Sequence, residues 1–274
     1  MSGTRIHPTA LVEKGAQLGE NVRVGPFCHI SSEAVIGDEC SLTSHVVVMG
    51  KTTLGAKSKV FSHAVLGAEP QNNKHKGGAT TLSIGKNCTI REGVTMHRGS
   101  DSSVGMTVVG DHCQFFCYAH IAHDCRVGNH VTFANNVMIA GHVTIGDYVI
   151  IGGGAAVHQF VRVGHHAFIG GVSALVGDLI PYGTAVGVQA KLAGINIIGM
   201  KRAGFDRQDI HALRHAITML FDHSKPFKER VNDVASFYSS FQSVSDVVNF
   251  IKEEGKRFYC TPKFEGDRIK EHKD

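Results

Sequence analysis

The stretch AHIAHDC, residues 119–125, sets His120, His123 and Asp124 within a few positions of one another. An imidazole followed directly by a carboxylate suits proton transfer, because the carboxylate can orient the ring and stabilise its charged form. The same residues suit a metal, with the carboxylate holding a ligating histidine from behind. HxxH lacks the i, i+4 spacing that puts two zinc ligands on one helix face, and on a strand the pair points to roughly opposite sides. Histidines from other parts of the chain could still complete a metal site, so the local motif leaves both chemistries open.

What positions these residues is a repeat of six. Apolar residues fall at Ile6, Val12, Leu18, Val24, Ile30, Ile36, Leu42, Val48, Leu54, Val60 and Leu66 without a miss. The beat returns at Ile84, Ile90 and Met96, then runs from Val109 through Phe115, Ile121, Val127 and Phe133 to Leu175. Chance agreement of the first and last blocks, at 42% hydrophobic residues, is on the order of 10⁻⁹. Glycine often follows the apolar residue, as at Gly19, Gly25, Gly37 and Gly55, and the fifth position is small, as at Ala10, Cys28, Ala34 and Cys40. Six is not a helical period. It fits a short strand with one large and one small inward residue and then a turn. One hexad cannot bury its own apolar face, so the hexads must stack as the coils of a parallel β-helix.

Two stretches break the beat. GAEPQNNKHKGGATT, between Leu66 and Ile84, reads as an excursion loop, and the register slips by one near HRGSDSSVGM, between Met96 and Val109. Loops on a rigid scaffold often carry binding, although surface insertions of this kind are also tolerated without a role. After Pro181 the beat fades. From Asp206, a candidate N-cap, Ile210, Leu213, Ile217, Leu220 and Phe221 follow helical spacing. KERVNDVASFYSSF and VSDVVNFIKEEGKR predict two more helices, the last stopped by Gly255. The division expected is a β-helix over 1–199 and a helical domain over 200–274, with the polar tail EGDRIKEHKD frayed.

Composition narrows the function classes. The 274 residues carry a net charge of only +4, with 18 His taken as neutral, which gives no argument for nucleic acid and permits an acidic protein partner. MSGTRIHPTA has no apolar core of a signal peptide, and the apolar runs are too short and glycine-rich for a membrane span. Seven Cys show no disulfide framework, and five (Cys28, Cys40, Cys88, Cys113, Cys125) occupy the small inward position, where Cys packs as a small hydrophobe. A reduced, cytoplasmic protein is expected.

In known hexapeptide-repeat proteins three hexads make one coil and the winding is left-handed, against the usual right-handed rule for parallel crossovers. With that coil length, positions 123, 141 and 159 stack on one edge. His123, His142 and His158 then come from three consecutive coils, with Gln159 beside them and His120 on the strand entering the edge. None sits at an inward position, so all four histidines should face outward. With 18 His in the chain, a plain solvated surface is the competing reading.

Nearly the whole chain resembles the UDP-N-acetylglucosamine O-acyltransferases that open lipid A biosynthesis. IHPTALVE, GPFCHI, SHVVV, IREGVTMHRG, AHIAHDC, FANNVMIAGHV, IIGGGAAVHQF and GINIIGMKRAGF carry the resemblance. It implies a left-handed parallel β-helix followed by a small α-helical domain, and a homotrimer with sites between subunits. It also implies transfer of an (R)-3-hydroxyacyl chain from acyl carrier protein to the 3-hydroxyl of the sugar nucleotide. No cofactor or metal would be needed beyond the phosphopantetheine of the carrier. By motif, His123 would be the general base, Asp124 its orienter, and Gly141 an oxyanion donor through its backbone. His120, His142, His158 and Gln159 would hold sugar and donor. Gln71, Asn72 and Lys74 of the first loop would join them, Lys74 near pyrophosphate or pantetheine. Asn196 and Arg202 would meet the nucleotide, Arg91 and His97, in matching stretches, would also bind substrate, and Gly171 would leave room at the end of the acyl chain. Lys191, Lys201 and Arg202 could steer the acidic carrier, or be solvated surface charge.

Two positions depart from the family pattern: Asn72 stands where Asp is common, and Ala203 where a second Arg is common. Asn72 keeps open a sugar bearing an amine at C3. The related N-acyltransferases carry an extra domain ahead of their repeats, whereas hexads here begin at Ile6. A zinc-dependent carbonic anhydrase and an inert scaffold complete the alternatives, the second having no account of the two loops.

Overall fold

The computed structural model describes residues 3–222, 225–253 and 255–263. Residues 265–274, the expected frayed tail, lie outside them. The hexads fold as a three-sided, left-handed parallel β-helix. Most contribute a strand of two residues, the second inward, as in Arg5–Ile6, Leu11–Val12 and Gln17–Leu18. These three strands begin the first, second and third faces, and every third strand pairs with the next coil. Arg5 pairs with Arg23 and Ile6 with Val24, so three hexads make one coil. The loops lengthen the coil where the beat fails. Lys59 pairs with Thr89, and Thr89 with Gln114, both separations longer than three hexads.

The core is a column along the axis. Large residues such as Ile30, Leu54, Phe115, Phe133 and Ile151 are fully buried, with the small residues Cys40, Ala64, Cys113 and Ala155 between them. Each coil closes tightly because the third residue after the large one takes a left-handed conformation, among them Asn21, His45, Asp124 and His142 at φ near +60°. Asn, Asp and His carry that conformation at lower cost than branched residues, which accounts for much of the histidine at the corners.

Beyond the coils, Gly183–Val186 pairs antiparallel with Lys191–Ile195 on the first face. Among the described residues four helices follow: α1 (Ile197–Arg202), α2 (Arg207–Leu220), α3 (Phe227–Phe237) and α4 (Gln242–Lys252). Asp206 caps α2 by accepting the Asp209 N–H at 2.8 Å, and Ile210, Leu213, Ile217 and Leu220 are buried. Helix α1 is too short for its periodicity to be read from the sequence. Gly255 does not stop α4, which ends at Lys252. It is placed there by close approach, since a Cβ on it would lie 2.2 Å from an Asp178 carboxylate oxygen.

Candidate active site

The corner between the second and third faces gathers most of the expected residues. His120 lies on the strand entering it, and His123 and Asp124 turn it. Both excursion loops, 69–80 and 98–105, leave from the same corner, between strands Val65–Ala68 and Thr81–Ile84 and between Thr95–His97 and Met106–Val109. The coils above add Gly141 and His142, then His158 and Gln159.

Asp124 is the anchor. Its side chain has no exposure to solvent. The carboxylate accepts the His123 Nδ1–H at 2.7 Å, the Ser100 N–H at 3.1 Å and the Gly105 N–H at 2.9 Å. A carboxylate can only accept, so the proton of neutral His123 sits on Nδ1 and its Nε2 carries the lone pair. The second loop therefore fixes the orienter of the imidazole, a role of Ser100 and Gly105 that the sequence did not reveal. Gly141 lies beside the ring: a Cβ there would sit 2.8 Å from His123 Cε1 and 2.9 Å from Nε2. Glycine is required for space, and no hydrogen bond within the described residues uses the Gly141 N–H.

His142 stacks in the column of Asp124, not that of His123. Its ring meets His123 edge-on at 5.1 Å and lies flat on Phe160 at 4.5 Å. Its Nε2 is 4.0 Å from the Asp124 carboxylate and burial lowers its pKa. His120 bonds Thr95 Oγ1 at 2.7 Å, with its pKa lowered by burial. His97 is buried edge-on to His120, and burial, reinforced by the His120 and His123 rings, pushes it down to about 4. His158 and Gln159 are exposed. Arg257, which the sequence did not single out, reaches both from beyond α4.

The loops brace one another. Asp101 accepts the Lys76 and Gly78 N–H groups and bonds His75 Nδ1 at 3.0 Å. Asn72 donates to Ser100 Oγ at 3.1 Å and accepts the Lys74 N–H, leaving Lys74 and Gln71 exposed. The amide at position 72 donates to Ser100, whereas an ionised carboxylate there would have to accept from the Ser100 hydroxyl instead.

Four expected residues lie elsewhere. Arg91 is at the corner between the first and second faces, paired with Glu92 at 2.9 Å and lying over Phe61. Gly171 is at that corner too, with an ordinary φ; a Cβ would meet the Gly153 carbonyl at 3.2 Å. Asn196 caps α1 and, with Arg202, lines a cavity over the first face beside His130, Tyr148 and His166.

His123, Asp124 and His142 are, among the described residues, the group whose ligand atoms could converge on a metal ion. The Asp124 oxygens are already engaged by two backbone N–H groups and the His123 Nδ1–H, and that set fits an oriented base better than a ligand sphere.

A family model described as Udp N-acetylglucosamine O-acyltransferase, domain 2, matches residues 178–260, and the bacterial transferase hexapeptide model matches 15–50 and 106–141. The chain is 90% identical over its whole length to the acyl-acyl-carrier-protein–UDP-N-acetylglucosamine O-acyltransferase of Bartonella henselae, all of which is covered. The chain belongs to the UDP-N-acetylglucosamine O-acyltransferase family. The Brucella ovis enzyme of the same name is 62% identical over 96% of this chain and 94% of its own. A solved UDP-N-acetylglucosamine acyltransferase from Campylobacter jejuni superposes with a TM-score of 0.88 at 37% identity, over 94% of this chain and 100% of that one. Membership in this O-acyltransferase family makes the chain an acyltransferase. None of its helices is long and apolar enough to cross a membrane among the described residues.

Proposed function

We propose that the protein transfers an (R)-3-hydroxyacyl chain from acyl carrier protein to the 3-hydroxyl of UDP-N-acetylglucosamine, the first step of lipid A biosynthesis, with His123 as general base. The observation that carries the mechanism is the buried Asp124 carboxylate, which orients His123 and leaves its Nε2 beside Gly141. A sugar hydroxyl is a poor nucleophile at neutral pH. His123 Nε2 takes its proton as the oxygen attacks the thioester carbonyl, while Asp124 stabilises the imidazolium. Such base catalysis contributes ~10²–10⁴-fold. The Gly141 N–H holds the developing oxyanion, and collapse expels the pantetheine thiolate, which recovers the proton from His123. The chemistry requires no cofactor beyond the pantetheine of the donor.

Asn196 and Arg202 lie over the first face, whereas His123 lies at the corner of the second and third. A nucleotide that touches both sets would be shared between two copies of the chain, which supports sites between subunits, as in the homotrimer we propose. Seven free cysteines, six of them buried, accord with a cytoplasmic setting.

The test is acyl transfer by purified, chelator-treated protein, from (R)-3-hydroxyacyl carrier protein to UDP-N-acetylglucosamine and to its 3-amino analogue. Transfer to the hydroxyl sugar is expected, with His123→Ala at least ~10²-fold slower. Full activity in that variant removes His123 from the base role. Transfer to the amine alone moves the substrate and points to Asn72.

A further inference from the structure

The segment after α4 returns to the β-helix and is pinned on both sides. Before it, the Arg162 guanidinium holds the Glu253 carbonyl, donates to Asp178 at 2.7 Å, and stacks on Phe250 at 4.3 Å. After it, the Asp178 N–H donates to the Phe258 carbonyl and the Cys260 N–H to the Asp178 carbonyl, each at 2.8 Å. Between the pins, Lys256 lies 4.9 Å over the Phe160 ring, itself stacked on His142. Arg257 sends Nη2 to His158 Nδ1 at 2.7 Å and Nε to the Gln159 carbonyl at 2.9 Å.

This contact decides what His158 offers to a ligand. A guanidinium has donors only, so His158 Nδ1 must accept and the ring proton of the neutral side chain must sit on Nε2. The Gln159 carbonyl is also 3.3 Å from His158 Nδ1. Without Arg257, an Nδ1–H would find an acceptor there, and Nε2 would then present a lone pair. The two arrangements are opposite in what they can bind.

We propose that Arg257 is a positioning residue that sets His158 in the Nε2–H form, so that it donates a hydrogen bond to a carbonyl or phosphoryl oxygen of the bound substrate. The proposal rests on the acyl-transfer reading for the identity of the substrate, but not for the tautomer. An oxygen without a proton, such as an amide carbonyl of pantetheine or a pyrophosphate oxygen, is the class of group selected. A second imidazole acceptor at this place would repel it.

The experiment has two legs. Ring ¹⁵N shifts of histidine-labelled, substrate-free protein, with His158 assigned by difference against H158N, should show Nε2–H in the parent. R257A and R257Q should move the proton toward Nδ1. In kinetics, R257A should raise KM about 10-fold for the substrate that His158 touches, the scale of one hydrogen bond to a charged or tightly held group, with kcat changed less. Added guanidinium ion should restore part of the loss. R257A should cost nothing further in an H158Q background. The proposal fails if His158 keeps Nε2–H in both Arg257 variants, or if the loss persists in full in the H158Q background. A parent protein that transfers no acyl chain would overturn the proposed function while leaving the tautomer result to stand or fall by itself.

Discussion

At the scale of single residues, the site depends on one buried carboxylate and one missing side chain. The Asp124 oxygens are taken by Ser100, Gly105 and His123, so the imidazole is held in one orientation. Asp124→Asn keeps the volume but can present an N–H where His123 needs an acceptor. Turnover should fall at least ~10²-fold with little change in KM, as read by steady-state kinetics. Gly141→Ala tests the space beside the ring, because its Cβ would fall 2.8 Å from the imidazole. The ring must move, and a misplacement of this order costs ~10²-fold in kcat while the circular dichroism spectrum stays that of the parent. His123, Asp124 and Gly141 were candidates from AHIAHDC and AGHV, and the structure brings them together. Ser100 and Gly105 were not, since they act through backbone N–H groups that any residue type but proline possesses. Arg257 was not legible either, because its partner lies 99 residues away in sequence.

At the scale of elements, each hexad is a strand too short to persist by itself, and the corner residues and the next coil hold it. The helices obey local rules more directly. Asp206→Ala removes the cap from α2 and should lower stability by about 1 kcal/mol, measured by denaturant unfolding, without altering kcat. Gly255→Ala acts on a contact between elements. Its Cβ would press on Asp178 and Arg162, the pair that seats the returning segment. Overpacking of this kind costs about 1–3 kcal/mol. The melting temperature should drop, and Arg257 should lose its hold on His158. The helix periodicities were visible in the sequence, whereas the role of Gly255 was misread as a helix stop. A glycine shortly past a helical pattern looks the same whether it ends a helix or admits a carboxylate.

At the scale of the whole molecule, burial of imidazole shapes the pH response. His97 is depressed to about 4, and His120, His142, His165 and His166 are lowered as well, in each case first by burial. Between the ordinary histidine range near 6.5 and those depressed values, the unfolded chain binds more protons than the folded one. Stability therefore rises with pH across that window and is lost as pH falls from about 6.5 toward about 4. Thermal melts from pH 7 to 4.5 should show a steady decline in melting temperature. His97→Gln should flatten it, and an unchanged slope would remove His97 from the effect.

The sequence by itself determined the β-helix, because a six-residue beat has no other way to bury its apolar face, and it determined the loop positions, because insertions stop the beat. It also placed His123, His142 and His158 on one edge once a coil was taken as three hexads. Only the tertiary structure decided that both loops leave from that same edge, that the second loop holds Asp124, and that the end of the described chain returns to His158. It also separated Asn196 and Arg202 from His123 by placing them over the first face. The physical reason is that periodicity encodes which way a side chain points relative to its own coil. Contacts made by backbone N–H groups, or by segments that return from far along the chain, leave no periodic trace.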